Sequence, residues 1–109
     1  MKRGEVYWVN IKDRLDHVQD GFRPCVVVQN DRGNAVSNTT VVCPLTASIK
    51  RMDMATHVLV KKGLPKESTV LCEQIFTVDK ANIGDYVATL DDWKMREISV
   101  AIMVSLGIL

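Results

Sequence analysis

Gly21-Phe22-Arg23-Pro24-Cys25-Val26-Val27-Val28-Gln29-Asn30-Asp31 is the stretch that decides the fold. Cys25 to Val28 is an unbroken apolar run closed by Gln29, Asn30 and Asp31, the pattern of a strand covered on both faces. Pro24 disfavours helical dihedrals in the residue before it, so Arg23 is held extended at the mouth of the run. A second apolar run, Thr39-Thr40-Val41-Val42-Cys43-Pro44-Leu45, ends at Thr46. Between the runs, Asp31 to Asn38 is rich in turn formers (Gly33, Asn34, Asn38) and reads as a loop. A hairpin folded symmetrically about it places Arg23 opposite Thr46, with Cβ atoms roughly 4.5–5.5 Å apart. A long loop does not itself set the register, and Pro44 invites a bulge.

Working outward, Gly4 to Ile11 carries strand formers, and Lys12 to Asp20 is a polar loop leading straight into Arg23. Its His17 and Gln19 are candidates to overhang the Arg23 end of the sheet. After Thr46, Lys50 and Arg51 are adjacent cations suited to solvated surface or to phosphate contact. Thr56 to Lys61 reads as a strand, Gly63 to Lys66 as a turn, and Ser68 to Asp79 as one longer strand. Period two in that strand puts Glu73 and Gln74 among apolar neighbours, where each needs a partner. For Glu73 the candidates are Arg23, Lys2, Arg3 or a backbone amide. Asp79 to Gly84 reads as a turn or short helix and Asp85 to Thr89 as a last strand. The closing helix has Asp91 or Thr89 as N-cap. Its apolar positions form two lines, Met95, Ile98, Ile102, Leu106 and Leu109 beside Trp93, Val100, Ala101, Val104 and Ile108. So wide a stripe must pack on the sheet, and a twofold partner is the common way to cover the remainder.

The 109 residues make one domain, 1–109, with an ordinary 47% hydrophobic and 25% charged composition. A formal net charge of +1 does not suit a protein that grips long duplex through many phosphates. It is compatible with a short single strand, where stacking and base edges carry more of the binding. Cys25, Cys43 and Cys72 sit inside apolar runs with no zinc spacing, and an odd count suits no closed disulfide set. Buried reduced thiols are expected. No metal or cofactor motif is present. The charged opening residues lack the apolar core of a signal peptide, and the closing helix is too short and polar at its start to span a membrane. A cytoplasmic location follows as an expectation.

The opening Lys2-Arg3-Gly4-Glu5-Val6-Tyr7-Trp8, then Gly21-x-Arg23-Pro24 and Gln29-Asn30-Asp31, resemble the MazF/PemK toxins of bacterial toxin–antitoxin pairs. Cys43-Pro44-Leu45-Thr46, Glu73-Gln74-Ile75-x-Thr77-x-Asp79-Lys80 and the apolar closing helix extend the resemblance over nearly the whole chain. It implies a mainly β fold with a C-terminal helix (α+β), an SH3-like small β-barrel of the MazF/PemK/CcdB kind, assembled as a homodimer. It implies a sequence-specific, metal-independent endoribonuclease that cuts single-stranded mRNA and is inhibited by a cognate antitoxin peptide.

Arg23 and Thr46 then stand as the catalytic pair, with His17 and Glu73 as proton carriers. Gln19, Phe22, Ser48, Lys50, Arg51 and Gln74 are the candidate RNA contacts. Two departures matter. Many relatives have a glutamate where this chain has Val18, and relatives that use the acidic position matching Glu73 carry an arginine where Leu71 stands. The competing readings are a CcdB-like gyrase-binding toxin without nuclease activity, a catalytically impaired RNA-binding relative, and a plain SH3-like binding module. The chain ends Leu106-Gly107-Ile108-Leu109, without the tryptophan that closes the gyrase poisons.

Overall fold

The computed structural model describes residues 1–11, 21–48 and 51–109. The polar loop with His17, Val18 and Gln19 therefore lies outside the described residues, as does Lys50. The strands are β1 (Glu5–Asn10), β2 (Phe22–Val27), β3 (Thr39–Thr46), β4 (His57–Val60), β5 (Ser68–Leu71), β6 (Phe76–Asp79) and β7 (Ile83–Thr89). A short helix α1 (Asp31–Val36) joins β2 to β3, a 3-10 turn (Lys80–Asn82) joins β6 to β7, and α2 (Asp92–Ser105) closes the chain. The fold is thus mostly β with a C-terminal helix. Strands pair antiparallel in the order β4-β5-β3-β2-β1-β7, with β6 also on β3. That path is open at β4 and β7 and compatible with an SH3-like arrangement.

β3 is where the sheet is joined. One edge holds β2 through Val42 to Pro44. The other is shared: Thr39 to Val42 pair with β6, and Leu45 and Thr46 pair with β5. Pro44, with no N–H to donate, falls in the gap between those two partners. The β2–β3 rungs Cys25↔Pro44, Val26↔Cys43 and Val27↔Val42 are the register that symmetric pairing demands.

The connection between them is not the plain loop expected. Asn30 caps α1 by accepting from the Gly33 N–H at 2.8 Å, which satisfies one otherwise orphan donor. Asn34 turns inward and is buried. It donates to the Gln29 carbonyl at 3.0 Å and accepts from the buried Thr40 hydroxyl at 2.7 Å. Asp31 accepts from the Arg3 backbone N–H at 2.7 Å. Gln29, Asn30 and Asp31 are thereby structural residues that tie the hairpin end to the start of the chain.

Period-two alternation gives the sheet two covered faces. On one, Val6, Val26, Cys43, Leu45, Val58, Val60 and Val70 pack against Met95, Ile98 and Ala101 of α2. Burying such a side chain fully is worth about 1.5–3 kcal/mol. On the other, Val9, Ile11, Cys25, Val27, Val42 and Val78 form a second cluster. Gly4, at φ +94, lets β1 begin close beneath α2, since an added Cβ would lie 3.4 Å from Met95. Asp91 is the N-cap of α2, accepting from the Lys94 N–H at 2.8 Å.

Three expectations need correction. Ser68 to Asp79 is not one strand: β5 ends at Leu71, and a turn closed by the Gln74 N–H on the Leu71 carbonyl (3.1 Å) precedes β6. β7 starts at Ile83, two residues before the expected Asp85. The closing helix ends at Ser105, so Leu106, Ile108 and Leu109, expected on its apolar stripe, lie beyond it and are exposed, as Trp93 and Val100 are on α2 itself. No helix among the described residues is long and apolar enough to cross a membrane.

Candidate active site

Arg23 sits on β2 opposite Val9 of β1, and Thr46 ends β3 opposite Thr69 of β5. Both are half-buried. The β2–β3 ladder stops at Cys25↔Pro44, so the two residues stand just past its last rung. Arg23 alternates with Cys25 and Val27, and Thr46 with Pro44 and Val42. Cys25, Val27 and Val42 share one cluster, which places Arg23 and Thr46 on the same face of the sheet, the one turned from α2.

Among the described residues, no carboxylate pairs with the Arg23 guanidinium. Its charge is felt by Cys25: burial pushes that thiol up to about 12, and Arg23 pulls in the opposite sense. Cys43 is likewise pushed up, by hydrogen bonding to the Cys72 thiol and by burial. All three cysteines are free and buried. They are inert packing groups rather than nucleophiles.

The Thr46 hydroxyl lies 3.3 Å from that of Ser48. Ser48 is exposed, as is Phe22 on the opposite side of β2 from Arg23. Arg51 turns back on Asp53 in a two-point contact of 3.1 and 3.0 Å, so its fork is engaged. His17, Gln19 and Lys50, three of the expected site residues, lie outside the described residues.

Glu73 departs from expectation most. The turn after β5 lifts it off the ladder, so Glu73 and Gln74 are exposed rather than enclosed by apolar side chains. Its partner is not Arg23 but His57 at the start of β4, with Nε2 3.0 Å from Oε2. Partial burial pushes the Glu73 carboxyl up, but its own backbone N–H and the His57 ring outweigh this and hold it below the usual carboxylate value.

Two residues that sequence reading passed over belong here. His57 alternates with Leu59 against the buried Val58 and Val60, and that alternation marks it as turned from the helix side. Thr69, fully buried on β5, donates its hydroxyl to the Ser48 carbonyl at 2.7 Å. No group of three His, Cys, Asp or Glu side chains that could hold a metal occurs among the described residues.

A rim that joins a guanidinium and hydroxyls on one sheet face suits an anionic ligand. A family model described as the PemK-like, MazF-like toxin of type II toxin–antitoxin systems matches residues 2–106. The chain is 40% identical over 111 residues to Endoribonuclease MazF of Staphylococcus saprophyticus, with 99% of this chain and 92% of the relative covered. It is 37% identical over 112 residues to Endoribonuclease EndoA of Bacillus subtilis, covering 100% and 97%. Among solved structures, an endoribonuclease in complex with its cognate antitoxin from a Mycobacterial species superposes with a TM-score of 0.83 at 25% identity, covering 100% of this chain and 97% of that one. MazF from Deinococcus radiodurans gives 0.82 at 22% identity over 98% and 96%, a likeness of fold. With the family model matching residues 2–106 and a relative 40% identical over 99% of this chain, the chain belongs to the PemK-like, MazF-like toxin family of type II toxin–antitoxin systems.

Proposed function

We propose that this chain, as one toxin domain over 1–109, is a sequence-specific endoribonuclease that cuts single-stranded mRNA without a metal. The carrying observation is the shared sheet face of Arg23 and Thr46 at strand ends, with a guanidinium that no described carboxylate neutralises. The 2′-hydroxyl of the substrate attacks the adjacent phosphorus. A P–O2′ bond forms, the P–O5′ bond breaks, and the ends left are a 2′,3′-cyclic phosphate and a 5′-hydroxyl. One proton leaves the 2′-hydroxyl and one reaches the departing O5′. Arg23 neutralises charge growing on the non-bridging oxygens, and Thr46 donates a hydrogen bond to one of them. His17 takes the base role that Val18 cannot fill; Glu73, held ionised at neutral pH, has no proton to give, so it serves as the site's carboxylate and water delivers the proton to O5′.

Phe22, Gln74 and the loop residue Gln19 contact bases and sugars, Ser48 acts beside Thr46 at the phosphate, and Lys50, with Arg51 once it exchanges Asp53 for the substrate, contacts phosphates. The relatives' names, Endoribonuclease MazF and EndoA, support this reading over a gyrase-binding toxin. Trp93 and Val100, exposed on α2, and Leu106, exposed just past its end, offer apolar surface to a second copy, and a homodimer is proposed. A solved relative is in complex with its cognate antitoxin; an antitoxin peptide that orders on binding is proposed for this chain as well. A cytoplasmic location, where mRNA is met, is proposed with it.

Incubation with a long transcript in EDTA, followed by end-group analysis, tests the proposal. Cyclic phosphate and 5′-hydroxyl ends at a repeated short sequence are expected. An intact transcript, or 5′-phosphate ends, overturns it.

A further inference from the structure

Thr69 is fully buried between β3 and β4, opposite Thr46 on one side and Leu59 on the other. Its hydroxyl donates to the Ser48 carbonyl at 2.7 Å, and the Ser48 hydroxyl stands 3.3 Å from that of Thr46. The contact reaches forward to the first residues after β3, where the chain leaves the sheet. We propose that Thr69 is a positioning residue for RNA cleavage, holding Ser48 so that its hydroxyl directs that of Thr46.

The direction of the hydrogen bonds matters. A hydroxyl has one proton to give. If the Ser48 O–H donates to Thr46 Oγ1, the Thr46 proton is left free to point at a phosphoryl oxygen. If the Ser48 hydroxyl accepts instead, Thr46 spends its proton inside the protein. The Thr69 bond fixes the backbone from which the Ser48 hydroxyl projects, so the staggered rotamer that reaches Thr46 starts from a set position. Preorganised donors count most where charge develops in the transition state, so the effect falls on turnover rather than on substrate binding. The inference rests on Thr46 being a phosphate-binding group.

The test compares wild type, Thr69→Val, Thr69→Ser and Ser48→Ala on a fluorogenic oligoribonucleotide built around the cleavage word found on a long transcript. Valine keeps the buried shape and removes the donor; serine restores the donor. Thr69→Val and Ser48→Ala are expected to lower kcat about tenfold with KM little changed, and Thr69→Ser to recover most of the loss. Hydrogen exchange in peptides covering Thr46 to Asp53 is expected to quicken in Thr69→Val alone. Wild-type kcat in Ser48→Ala, or in a folded Thr69→Val, overturns the proposal, as does a Thr69→Ser no better than Thr69→Val. Ser48→Ala, altered at an exposed side chain, decides the matter if Thr69→Val fails to fold. A wild-type protein that leaves the transcript intact overturns the nuclease reading, and this proposal with it. Cleavage by wild type beside undiminished variants removes only the role of Thr69 and Ser48.

Discussion

His57 and Glu73 meet at 3.0 Å across the start of β4 and the turn after β5, the imidazole nearly buried and the carboxylate one-third exposed (side-chain exposures of 6% and 33%). The backbone reinforces the contact. His57 lies opposite Leu71 in the β4–β5 ladder, and the Cys72 N–H donates to the Thr56 carbonyl at 2.9 Å. The pair therefore latches β4 to the turn that carries Glu73. It gives Glu73 a fixed place, which a side chain in a surface turn would otherwise lack.

The pH dependence follows from the lowered Glu73 carboxyl. A group whose folded pKa lies below its unfolded value stabilises the protein above the unfolded value, about 4.3 for glutamate, and loses that stabilisation as pH falls through the folded value. Solvent screening keeps the contribution to less than about 1 kcal/mol. Thermal melts of wild type and Glu73→Gln should agree at low pH and diverge above about pH 4 to 5, with wild type the more stable. Parallel curves from pH 3 to 7 would show that the pair contributes nothing.

Arg23→Ala should reduce cleavage about a hundred- to thousandfold, the usual cost of one preorganised donor to developing charge. Arg23→Lys keeps the charge and loses the planar fork, so it should recover part of the rate. Circular dichroism should be unchanged in both, because Arg23 belongs to neither core cluster. Full activity of Arg23→Ala on a long transcript would remove the residue from the mechanism.

What could be read from the residues, and what could not, follows the range of the interactions involved. The β2–β3 register was legible because Cys25 to Val28 and Val41 to Cys43 are apolar without a break, and one centre of symmetry brings them together. α1 was not, because its stability comes from Asn34 reaching Gln29 and Thr40, contacts that exist only once the hairpin has formed. The same holds for Glu73. Its alternating neighbours read as one strand, but β5 and β6 pair with different ends of β3, and the chain must turn between them. A histidine sixteen residues earlier then takes the place assigned to Arg23. Thr69 was passed over because one threonine in an apolar run has no signal of its own until its acceptor is known.

His17→Gln tests the proton carrier. A base must be neutral to accept a proton, and an unperturbed imidazole loses its charge near pH 6.5. The wild-type rate should rise through that region, and the glutamine variant should lose both the rise and most of the rate, about a hundredfold near pH 7.5. An unchanged pH–rate profile would exclude His17 and turn attention to His57 and Glu73.

The two sides of α2 make opposite demands on substitution. Ile98 is fully exposed to the core and closed to solvent, at 0% accessible, between the sheet and the helix. Ile98→Ala should therefore destabilise the fold by about 2–5 kcal/mol through lost burial and the cavity left behind. Val100, two positions on, is 47% exposed, and Leu106 at the helix end is 60% exposed. A Val100→Asp, Leu106→Asp double variant should fold as wild type, with its unfolding free energy at low concentration little changed. Sedimentation equilibrium should show the wild type as a dimer and the double variant shifted toward monomer, because a charge set in an apolar interface must be desolvated on association. A double variant as fully dimeric as wild type would place the twofold contact elsewhere on the sheet.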